Sequence, residues 1–394
     1  MHILNVIHSV NPEQGGPSEG LRQLVGAVRG LGHTIDVLTL DGPGDPWVAE
    51  FPGRTFAIGP VGTTYGYSAR MVPWLKQHAH EFDAVIIHGL WQYHGFAVWR
   101  ALHGSDVPYF MYFHGMLDPW FKHRYPLKHL KKWLYWPWAD YRVSRDAKAV
   151  LFTASEEARL AAESFWLYRV NSSVVGYGLA LDGHAESGRA EDFLLAFPET
   201  RGKRIVLFLG RIHTKKGCDL LVEAFAKLAS TDPSLHLVMA GPDQTGLMAG
   251  LKALAVECGI ADRITWTGML QGDLKWGALR AAEVFSLPSH QENFGIAVAE
   301  ALAVGLPVLI SERVNIWREI VDDGAGLADA DDLAGTISTL QRWLSMEPQQ
   351  RALMRQRAER CYQSRFRIEA AAERVIATIE PHVRRTALLP AVPA

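Results

Sequence analysis

The sequence predicts an α/β protein of two domains, each built on a parallel β-sheet, and three stretches of the chain carry this prediction. Residues 2–40 read as strand, glycine-containing loop, helix and strand, which is the repeating unit of a parallel sheet. Strand, loop and helix return at 204–228, and strand, loop, helix and strand at 284–310. A length of 394 residues also fits two domains of ordinary size.

The composition indicates an ordinary globular protein. Apolar residues make up 48% of the chain and charged residues 21%, and the net charge is −2. A chain so close to neutral has no overall electrostatic attraction to nucleic acid, so no nucleic-acid partner is expected. The three cysteines lie far apart, without metal-site or disulfide spacing, which favours a reducing cytoplasm. The first residues read as a buried strand rather than a signal peptide, and no apolar run reaches membrane-spanning length.

The first glycine-containing loop lies where parallel sheets bind their ligands, beyond the carboxyl end of a strand. Strand 2–7 and helix 19–31 flank the loop at 9–18. Gly15 and Gly16 would let the backbone approach a ligand closely, although an ordinary tight turn also explains them. The chain contains no G-x-G-x-x-G fingerprint, which argues against a nicotinamide dinucleotide.

Two histidines follow later strands of the first domain at the same edge of the predicted sheet. Strands are predicted at 84–88, 108–114 and 149–153, and His88 and His114 end the first two. A histidine there can donate or accept a hydrogen bond near neutral pH, so both are candidate site residues. Each could instead be a turn histidine bonded to the backbone.

Residues 118–145 alternate basic and aromatic side chains, and three of the lysines share one helical face. This mixture is typical of segments that lie at the headgroup level of an anionic membrane. We therefore expect the segment to make peripheral membrane contact or to bind a lipid-linked acceptor molecule. The alternatives are base stacking on single-stranded nucleic acid, and a partly buried helix whose lysine stems lie over aromatic rings. The candidate acceptor or membrane residues are His88, Lys128, Lys131, Lys132, Trp133 and Trp136.

The second domain is predicted to begin near strand 204–209, after a linker over 179–202 that mixes Gly, Ser and acidic residues. The sequence Gly-Arg-Ile-His-Thr-Lys-Lys-Gly follows this strand and precedes a helix at 219–228. Two cations at such a junction, Arg211 and Lys216, are arranged to bind a pyrophosphate, and the helix N-terminus adds to the positive field. A basic loop without a ligand is the alternative.

Two carboxylates occupy the stretch 286–309. Glu292 lies in a loop, and Glu300 lies about two turns into the helix that follows. Because a helix rises about 1.5 Å per residue, the pair can be spaced by roughly 10 Å and face one elongated ligand. Free N–H groups at the helix start donate to hydroxyls or phosphate. A nucleotide sugar fits this set, and two solvated glutamates are the alternative. The residues at the predicted helix start are Asn293, Phe294 and Gly295.

The sequence Glu292-x7-Glu300, together with the Gly-Arg…Lys-Gly sequence, resembles the signatures of retaining glycosyltransferases of family 4 (glycosyl transferases group 1), which have the GT-B fold. The resemblance covers nearly the whole chain. It implies two Rossmann-like domains with parallel sheets facing a central cleft. Residues 1–178 would bind the acceptor and 203–365 the nucleotide sugar, with a helix within 366–383 crossing back to the first domain.

The resemblance also implies a role for each candidate residue. Glu292 would face the donor sugar and Glu300 would hold the ribose, while the two cations stabilise charge on the leaving diphosphate. The acceptor hydroxyl would attack the face that the diphosphate leaves, with retention of configuration. The implied catalytic residues are His114, Arg211, Lys216 and Glu292. The implied donor contacts are Gly15, Gly16, Arg211, Lys216, Met269, Leu270, Glu292, Asn293, Phe294, Gly295 and Glu300.

No cofactor or metal is expected. The sequence Asp329-Ala330-Asp331 matches a metal-binding D-x-D pattern, but it stands before a predicted helix at 332–343, where aspartate is a common N-cap. The expected partners are a nucleoside diphosphate sugar, with UDP and GDP left open, and a glycan or lipid-linked acceptor at the inner face of the membrane. Two alternatives remain: the same chemistry on a soluble acceptor of the sugar-phosphate type, and a catalytically silent membrane-associated protein.

Overall fold

The computed structural model describes residues 1–14, 16–181 and 184–383 and divides the chain into two compact units. Unit 1 contains residues 1–178 together with the chain from 368 onward, and unit 2 spans 179–367. Each unit is built on its own parallel sheet, as the sequence predicts. The tail at 387–394, for which disorder is predicted, lies outside the described residues.

The sheet of unit 1 has seven strands in the described residues, in the order β3-β2-β1-β4-β5-β6-β7. Strand β1 lies inside this sheet, paired in parallel with β2 and β4, and five of its six residues are buried. Runs of Val, Ile and Leu without alternation are typical of strands covered on both faces. The strands are β1 (His2–Ile7), β2 (Thr34–Thr39), β3 (Thr55–Ala57), β4 (Ala84–His88), β5 (Tyr109–Tyr112), β6 (Val150–Phe152) and β7 (Ser172–Val174).

Helices connect these strands and supply the rest of the buried core. Residues of β1, β4 and β5 pack with helix side chains into one apolar cluster, which includes Val6, Ile87 and Met111. The carboxyl ends of the strands therefore meet at one edge of a rigid sheet. The helices before unit 2 are α1 (Gly16–Gly30), α2 (Pro46–Ala49), α3 (Met71–His78), α4 (Tyr93–Leu102), α5 (Trp120–Arg124), α6 (Pro126–Tyr135), α7 (Asp140–Asp146) and α8 (Ser155–Ser164).

Unit 2 has a six-stranded sheet in the described residues, in the order β10-β9-β8-β11-β12-β13. Strand β8 lies at its centre, paired in parallel with β9 and β11, and five of its six residues are buried. The chain leaves β8 and β11 at the same edge, so the loops after these strands come together. The strands are β8 (Arg204–Leu209), β9 (Leu235–Ala240), β10 (Ile264–Gly268), β11 (Val284–Leu287), β12 (Val308–Ser311) and β13 (Gly326–Asp329).

The predicted linker over 179–202 is wrong, because most of this segment belongs to the fold of unit 2. Two of its helices pack against the helix at 272–281, and Phe193 is fully buried. Mixed polar composition concealed this small apolar face. The helices are α9 (His184–Ser187), α10 (Ala190–Ala196), α11 (Cys218–Ala229), α12 (Met248–Glu257), α13 (Gly272–Ala281), α14 (Ile296–Ala303), α15 (Trp317–Asp322), α16 (Leu333–Leu344), α17 (Pro348–Cys361) and α18 (Ile368–Ile379).

Helix α18 belongs to unit 1, where it packs against α1. None of the helices in the described part of the chain combines the length and the apolar character that crossing a bilayer requires.

The N-cap of α16 is Asp332, whose carboxylate accepts a hydrogen bond from the Gly335 N–H at 2.8 Å. The capping role predicted for Asp329 and Asp331 is therefore wrong by one residue. Asp329 accepts from the Ser338 hydroxyl at 2.7 Å, and Asp331 pairs with Arg313 at 3.1 Å. Across the described residues, no three His, Cys, Asp or Glu side chains are grouped so that they could hold a metal.

Candidate active site

Unit 2 brings together two of the predicted donor residues, Lys216 and Glu292. The Lys216 ammonium donates to the Glu292 carboxylate, and about 14% and 19% of the two side chains are exposed. The two residues are 76 positions apart, so the contact is a product of the fold. A cation and a carboxylate held at one point can bind phosphate oxygens and sugar hydroxyls side by side.

The loops after β8 and β11 pack closely enough to fix this pair. Gly217 has a φ of +64°, and a Cβ there would lie 2.1 Å from the Pro288 carbonyl oxygen, so only glycine fits. The Lys215 carbonyl accepts hydrogen bonds from the His290 N–H at 2.8 Å and from the Ser289 hydroxyl at 2.9 Å. The glycine that ends the Gly-Arg…Lys-Gly sequence thus allows the Lys216 loop to rest on the Glu292 loop.

Glu300 lies on α14 and is paired with a cation that the sequence did not reveal. Its carboxylate accepts from the Lys275 ammonium at 2.8 Å, and the exposed fractions of the two side chains are 12% and 19%. The same ammonium lies 4.6 Å from the ring centroid of Trp276. Lys275 comes from α13 and is 25 residues away, so no local spacing relates the two. Each glutamate of the E-x7-E sequence is therefore paired with a lysine of unit 2.

The start of α14 is two residues later than predicted, and Gly295 is its N-cap with a φ of +76°. The Asn293 amide oxygen accepts from Asn315 at 3.2 Å. The Phe294 side chain is buried, with its ring 5.7 Å from that of Phe366. These three residues shape the loop between the two glutamates.

The other donor candidates of unit 2 lie around the same edge of the sheet, at strand ends. Arg211 is exposed just after β8 and donates to the Gln244 side chain at 3.3 Å. Met269 follows β10 and is 62% exposed, whereas Leu270 is buried. Within the described residues Arg211 has no contact with Glu292, and it is an exposed cation at the carboxyl end of β8.

In unit 1, His88 and His114 contact each other. Their rings stack at 17°, and His88 Nδ1 lies 3.0 Å from His114 Nε2. His88 Nε2 in turn lies 2.7 Å from the Asn5 amide oxygen, and His88 is buried. Both ring nitrogens of His88 are thus engaged within the unit, and the acceptor contact by His88 stays a prediction.

His114 is the histidine of this pair that lies nearer the surface, and its backbone is unusual. Its φ is +53°, a conformation that costs energy in a residue with a Cβ and that occurs most often at functional positions. Burial lowers the pKa of His114 to about 4. The ring is therefore neutral at physiological pH and can donate or accept one hydrogen bond at each nitrogen.

Of the two glycines predicted to lie near the donor, Gly15 and Gly16, the structure describes only Gly16. Gly15 lies outside the described residues. Gly16 is the first residue of α1 rather than part of a loop, and its carbonyl accepts from the Tyr177 hydroxyl at 2.6 Å. A Cβ at Gly16 would meet nothing within 4 Å, so packing within the unit does not require glycine there.

The basic and aromatic segment at 118–145 contains an exposed helix, α6, followed directly by a buried tryptophan. Helix α6 has no buried residue, and Trp133 is 40% exposed. Trp136, immediately after α6, is fully buried and donates its indole N–H to the Leu167 carbonyl. The predicted acceptor or membrane contact by Trp136 is therefore wrong, because this residue anchors α6 to the core of unit 1.

Comparison with known proteins decides the family. The profile of the glycosyl transferases group 1 matches residues 195–360, and that of the glycosyl transferase 4-like domain matches residues 15–178. Together the two profiles account for most of the chain. The chain belongs to the group 1 glycosyltransferases of family 4. The family predicted from Glu292, Glu300, Arg211 and Lys216 is confirmed.

Individual relatives agree with the family. The chain is 34% identical over 231 residues to the D-inositol 3-phosphate glycosyltransferase of Thermomonospora curvata, a match that covers 54% of this chain and 52% of the relative. This chain thus spans about half the length of such relatives. The D-rhamnosyltransferase WbpZ of Pseudomonas aeruginosa is 27% identical over 365 residues, which cover 89% of this chain and 88% of that protein.

Solved structures agree on the fold. The Anabaena protein HepE, solved in complex with UDP, superposes with a TM-score of 0.74 at 17% identity, over 97% of this chain and 100% of that one. With such GT-B neighbours and the two parallel sheets, this glycosyltransferase has the GT-B fold, as predicted.

Proposed function

We propose that this glycosyltransferase transfers a hexose from a nucleoside diphosphate sugar to an acceptor hydroxyl with retention of configuration. The observation that carries the proposal is the pair of cation–carboxylate contacts in unit 2, Lys216 with Glu292 and Lys275 with Glu300. The Glu292 carboxylate accepts hydrogen bonds from hydroxyls of the sugar, and the Glu300 carboxylate accepts hydrogen bonds from hydroxyls of the ribose. UDP is the first nucleotide to test, because HepE was solved with UDP bound.

The charges of the site favour departure of the diphosphate. Negative charge develops on the leaving phosphate in the transition state, and fixed cations stabilise it without reorganisation. Lys216 is held in place by Glu292, while Arg211 is exposed and can approach the phosphate. The proposal requires no metal, and residues 329–331 take no part in it.

The stereochemical proposal is tested by following the anomer that forms. Incubation of the enzyme with a UDP-α-sugar in water, monitored by proton NMR before mutarotation, should release the α-anomer first. Appearance of the β-anomer first would contradict retention. Lys216→Met should slow this release about 100-fold or more, because one fixed donor to a developing oxyanion contributes about that much.

The exposed face of α6 carries an apolar stripe that bears on the acceptor. Leu127, Leu130 and Leu134 are between 56% and 83% exposed and recur at i, i+3 and i+7 on one side of the helix. Lysines lie on the adjoining face. An apolar stripe beside cations is typical of helices that lie in the interface of an anionic membrane. We propose that α6 docks there, at the inner face of the membrane, and that the enzyme builds a lipid-linked glycan or polysaccharide.

Vesicle flotation tests the membrane contact. The wild-type protein should float with vesicles that contain phosphatidylglycerol, and binding should fall with salt because the attraction is partly electrostatic. Leu130→Asp combined with Leu134→Asp should abolish flotation. Val321→Asp, an exposed apolar residue of unit 2, is the matched control and should not.

A soluble acceptor of the sugar-phosphate type is the second candidate, and the relatives named for D-inositol 3-phosphate favour it. Under that candidate, the leucine substitutions in α6 leave turnover with a soluble sugar phosphate intact. Loss of turnover with a lipid-linked acceptor alone would favour the membrane.

A further inference from the structure

Two cavities of unit 1 share Trp91 in their linings. One has a volume of about 280 Å³ and extends from Trp91 to Phe165. The other has a volume of about 660 Å³ and extends from Thr64 to Tyr135. The larger cavity falls within the range of small-molecule binding sites. Trp91, Met116, Lys128 and Lys132 line both cavities.

Trp91, which both cavities share, is held by an unusual backbone contact. Trp91 has a φ of +69°, and its N–H donates to the Asp140 carboxylate at 2.8 Å. Asp140 is fully buried at the start of α7. A tryptophan keeps a left-handed backbone conformation only where the surrounding structure holds it. The position of Trp91 in the two cavities is therefore specified by the fold.

The larger cavity is strongly cationic. Lys128, Lys131 and Lys132 line it, and no acidic side chain does. None of the three lysines forms an ion pair within the part of the chain that the structure describes. The Lys132 ammonium lies instead 4.5 Å from the ring centroid of Trp91, and the Lys128 ammonium 5.0 Å from that of Tyr125.

Lys132 lies in a partly buried position close to a second cation. Burial lowers the pKa of Lys132, the buried Asp140 carboxylate raises it, and the neighbouring Lys128 ammonium lowers it again. Two ammonium groups close enough to repel each other would both be stabilised by a polyvalent anion between them. Hydroxyls of Tyr65 and Tyr135, 3.1 Å apart, supply further polar contacts in the same cavity.

We propose that Lys128 and Lys132 bind a phosphate group of the acceptor in the cavity between Trp91 and Tyr135. This inference rests on the proposed function and names the acceptor class for it, a phosphate ester. A phosphate suits the site better than a single carboxylate, because its three terminal oxygens can accept from several ammonium groups at once. The phosphate can belong to a soluble sugar phosphate or to a lipid headgroup, since α6 presents leucines on the face next to its lysines.

The test separates donor binding from acceptor binding. UDP is first titrated into the full-length protein by calorimetry, and inorganic phosphate is then titrated into the UDP-saturated protein and followed by phosphorus NMR. Lys128→Gln and Lys132→Gln should each weaken phosphate binding about 10-fold or more and leave UDP binding unchanged. Arg124→Gln, an exposed cation outside both cavities with the same change in charge, should alter phosphate binding less than about twofold.

The outcomes are distinct for the two proposals. Failure of UDP to bind overturns the proposed donor site. UDP binding without phosphate binding, or equal phosphate binding in all variants, overturns the phosphate subsite alone. An unchanged circular dichroism spectrum and melting temperature show that each variant is folded, since UDP binding reports on unit 2 and the substituted lysines lie in unit 1.

Competition identifies the source of the phosphate. Displacement of bound phosphate by glucose 6-phosphate assigns the site to a soluble sugar phosphate. Displacement only by phosphatidylcholine vesicles that contain phosphatidic acid assigns it to a lipid headgroup. Displacement by neither overturns the assignment to an acceptor.

Discussion

Replacing Glu300 by glutamine should weaken nucleotide binding and also destabilise unit 2, and the two effects can be separated. Glu300 is paired with Lys275 at 2.8 Å, and less than a fifth of either side chain is exposed. Glu300→Gln keeps the shape of the side chain and removes its charge. The substitution therefore tests the ribose contact and the ion pair at the same time.

The expected losses of nucleotide affinity and of stability follow from the charge of Glu300 and from the burial of its ion pair. Loss of hydrogen bonds from the ribose to a charged carboxylate should cost about 1.5–3 kcal/mol, or roughly 10- to 150-fold in the affinity for the nucleoside diphosphate. Breaking a fully buried ion pair costs about 3–5 kcal/mol, because one charge is left without a partner. Since this pair retains some exposure, a loss of about 1–3 kcal/mol in the free energy of unfolding is expected.

A double-substitution cycle separates the effects. In Glu300→Gln combined with Lys275→Met, no unpaired charge remains, so most of the stability should return while the affinity for UDP stays low. Urea unfolding measures the first quantity and calorimetry the second. Recovery of UDP affinity in the double variant would refute the ribose contact, and would leave Glu300 only a structural role.

Three further predictions concern unit 1 and the site loops. Burial raises the pKa of Asp140 to about 7, so the folded protein keeps a proton that the unfolded chain releases near pH 4, and stability should fall as the pH rises from about 4 to 7. Asp140→Asn should remove about 3 kcal/mol of that decline between pH 4.5 and 7, measured by urea unfolding at the two pH values; the same decline in the variant would contradict it. In histidine NMR titrations, the ring of His114 should titrate near pH 4, whereas His290, whose pKa is raised by its hydrogen bond to a carboxylate, should titrate above its ordinary value; a midpoint near 6.5 for both would be inconsistent with these environments. Trp136→Ala should cost about 3–5 kcal/mol of stability, and Leu134→Ala less than about 0.5 kcal/mol, in the same unfolding assay, and equal costs would contradict their opposite burial.

The alternation of apolar runs and glycine-containing loops was sufficient to predict two parallel sheets and the residues at their carboxyl edges. Strands β1, β8 and β11 are buried Val, Ile, Leu and Phe runs, which such patterning identifies well. The segment 179–202 was missed because its helices are short and polar on most faces, and few of its apolar side chains, chiefly that of Phe193, are buried.

The donor residues could be predicted because their motifs are local in sequence, and their partners could not. Lys216 and Glu292 lie in recognisable loops, but Lys275 reaches Glu300 only through the packing of α13 and α14. A lysine on an amphipathic helix has no spacing that marks such a role. From the sequence, His88 resembles a histidine of a surface turn. Only the packing of the neighbouring strands shows that Asn5 and His114 contact its two ring nitrogens.

The basic and aromatic segment shows the limit of composition. Trp133 and Trp136 are three residues apart, and the sequence treats them alike. The helix ends between them, so Trp133 remains at the surface while Trp136 turns into the core. Helix termini are the least certain feature of a sequence-based prediction, and here the terminus decides the side chain's role.

The proposed activity requires unit 2 to bind a nucleotide, and a thermal-shift measurement with UDP, GDP, ADP and CDP tests this binding. A nucleotide at 100 times its Kd should add about 2.7 kcal/mol to the stability, which raises the melting temperature measurably. We predict that one of the four, with UDP the first expectation, stabilises the wild-type protein, and that Lys216→Met and Glu300→Gln respond much less. No shift with any nucleotide, or equal shifts in the two variants, would contradict the donor site.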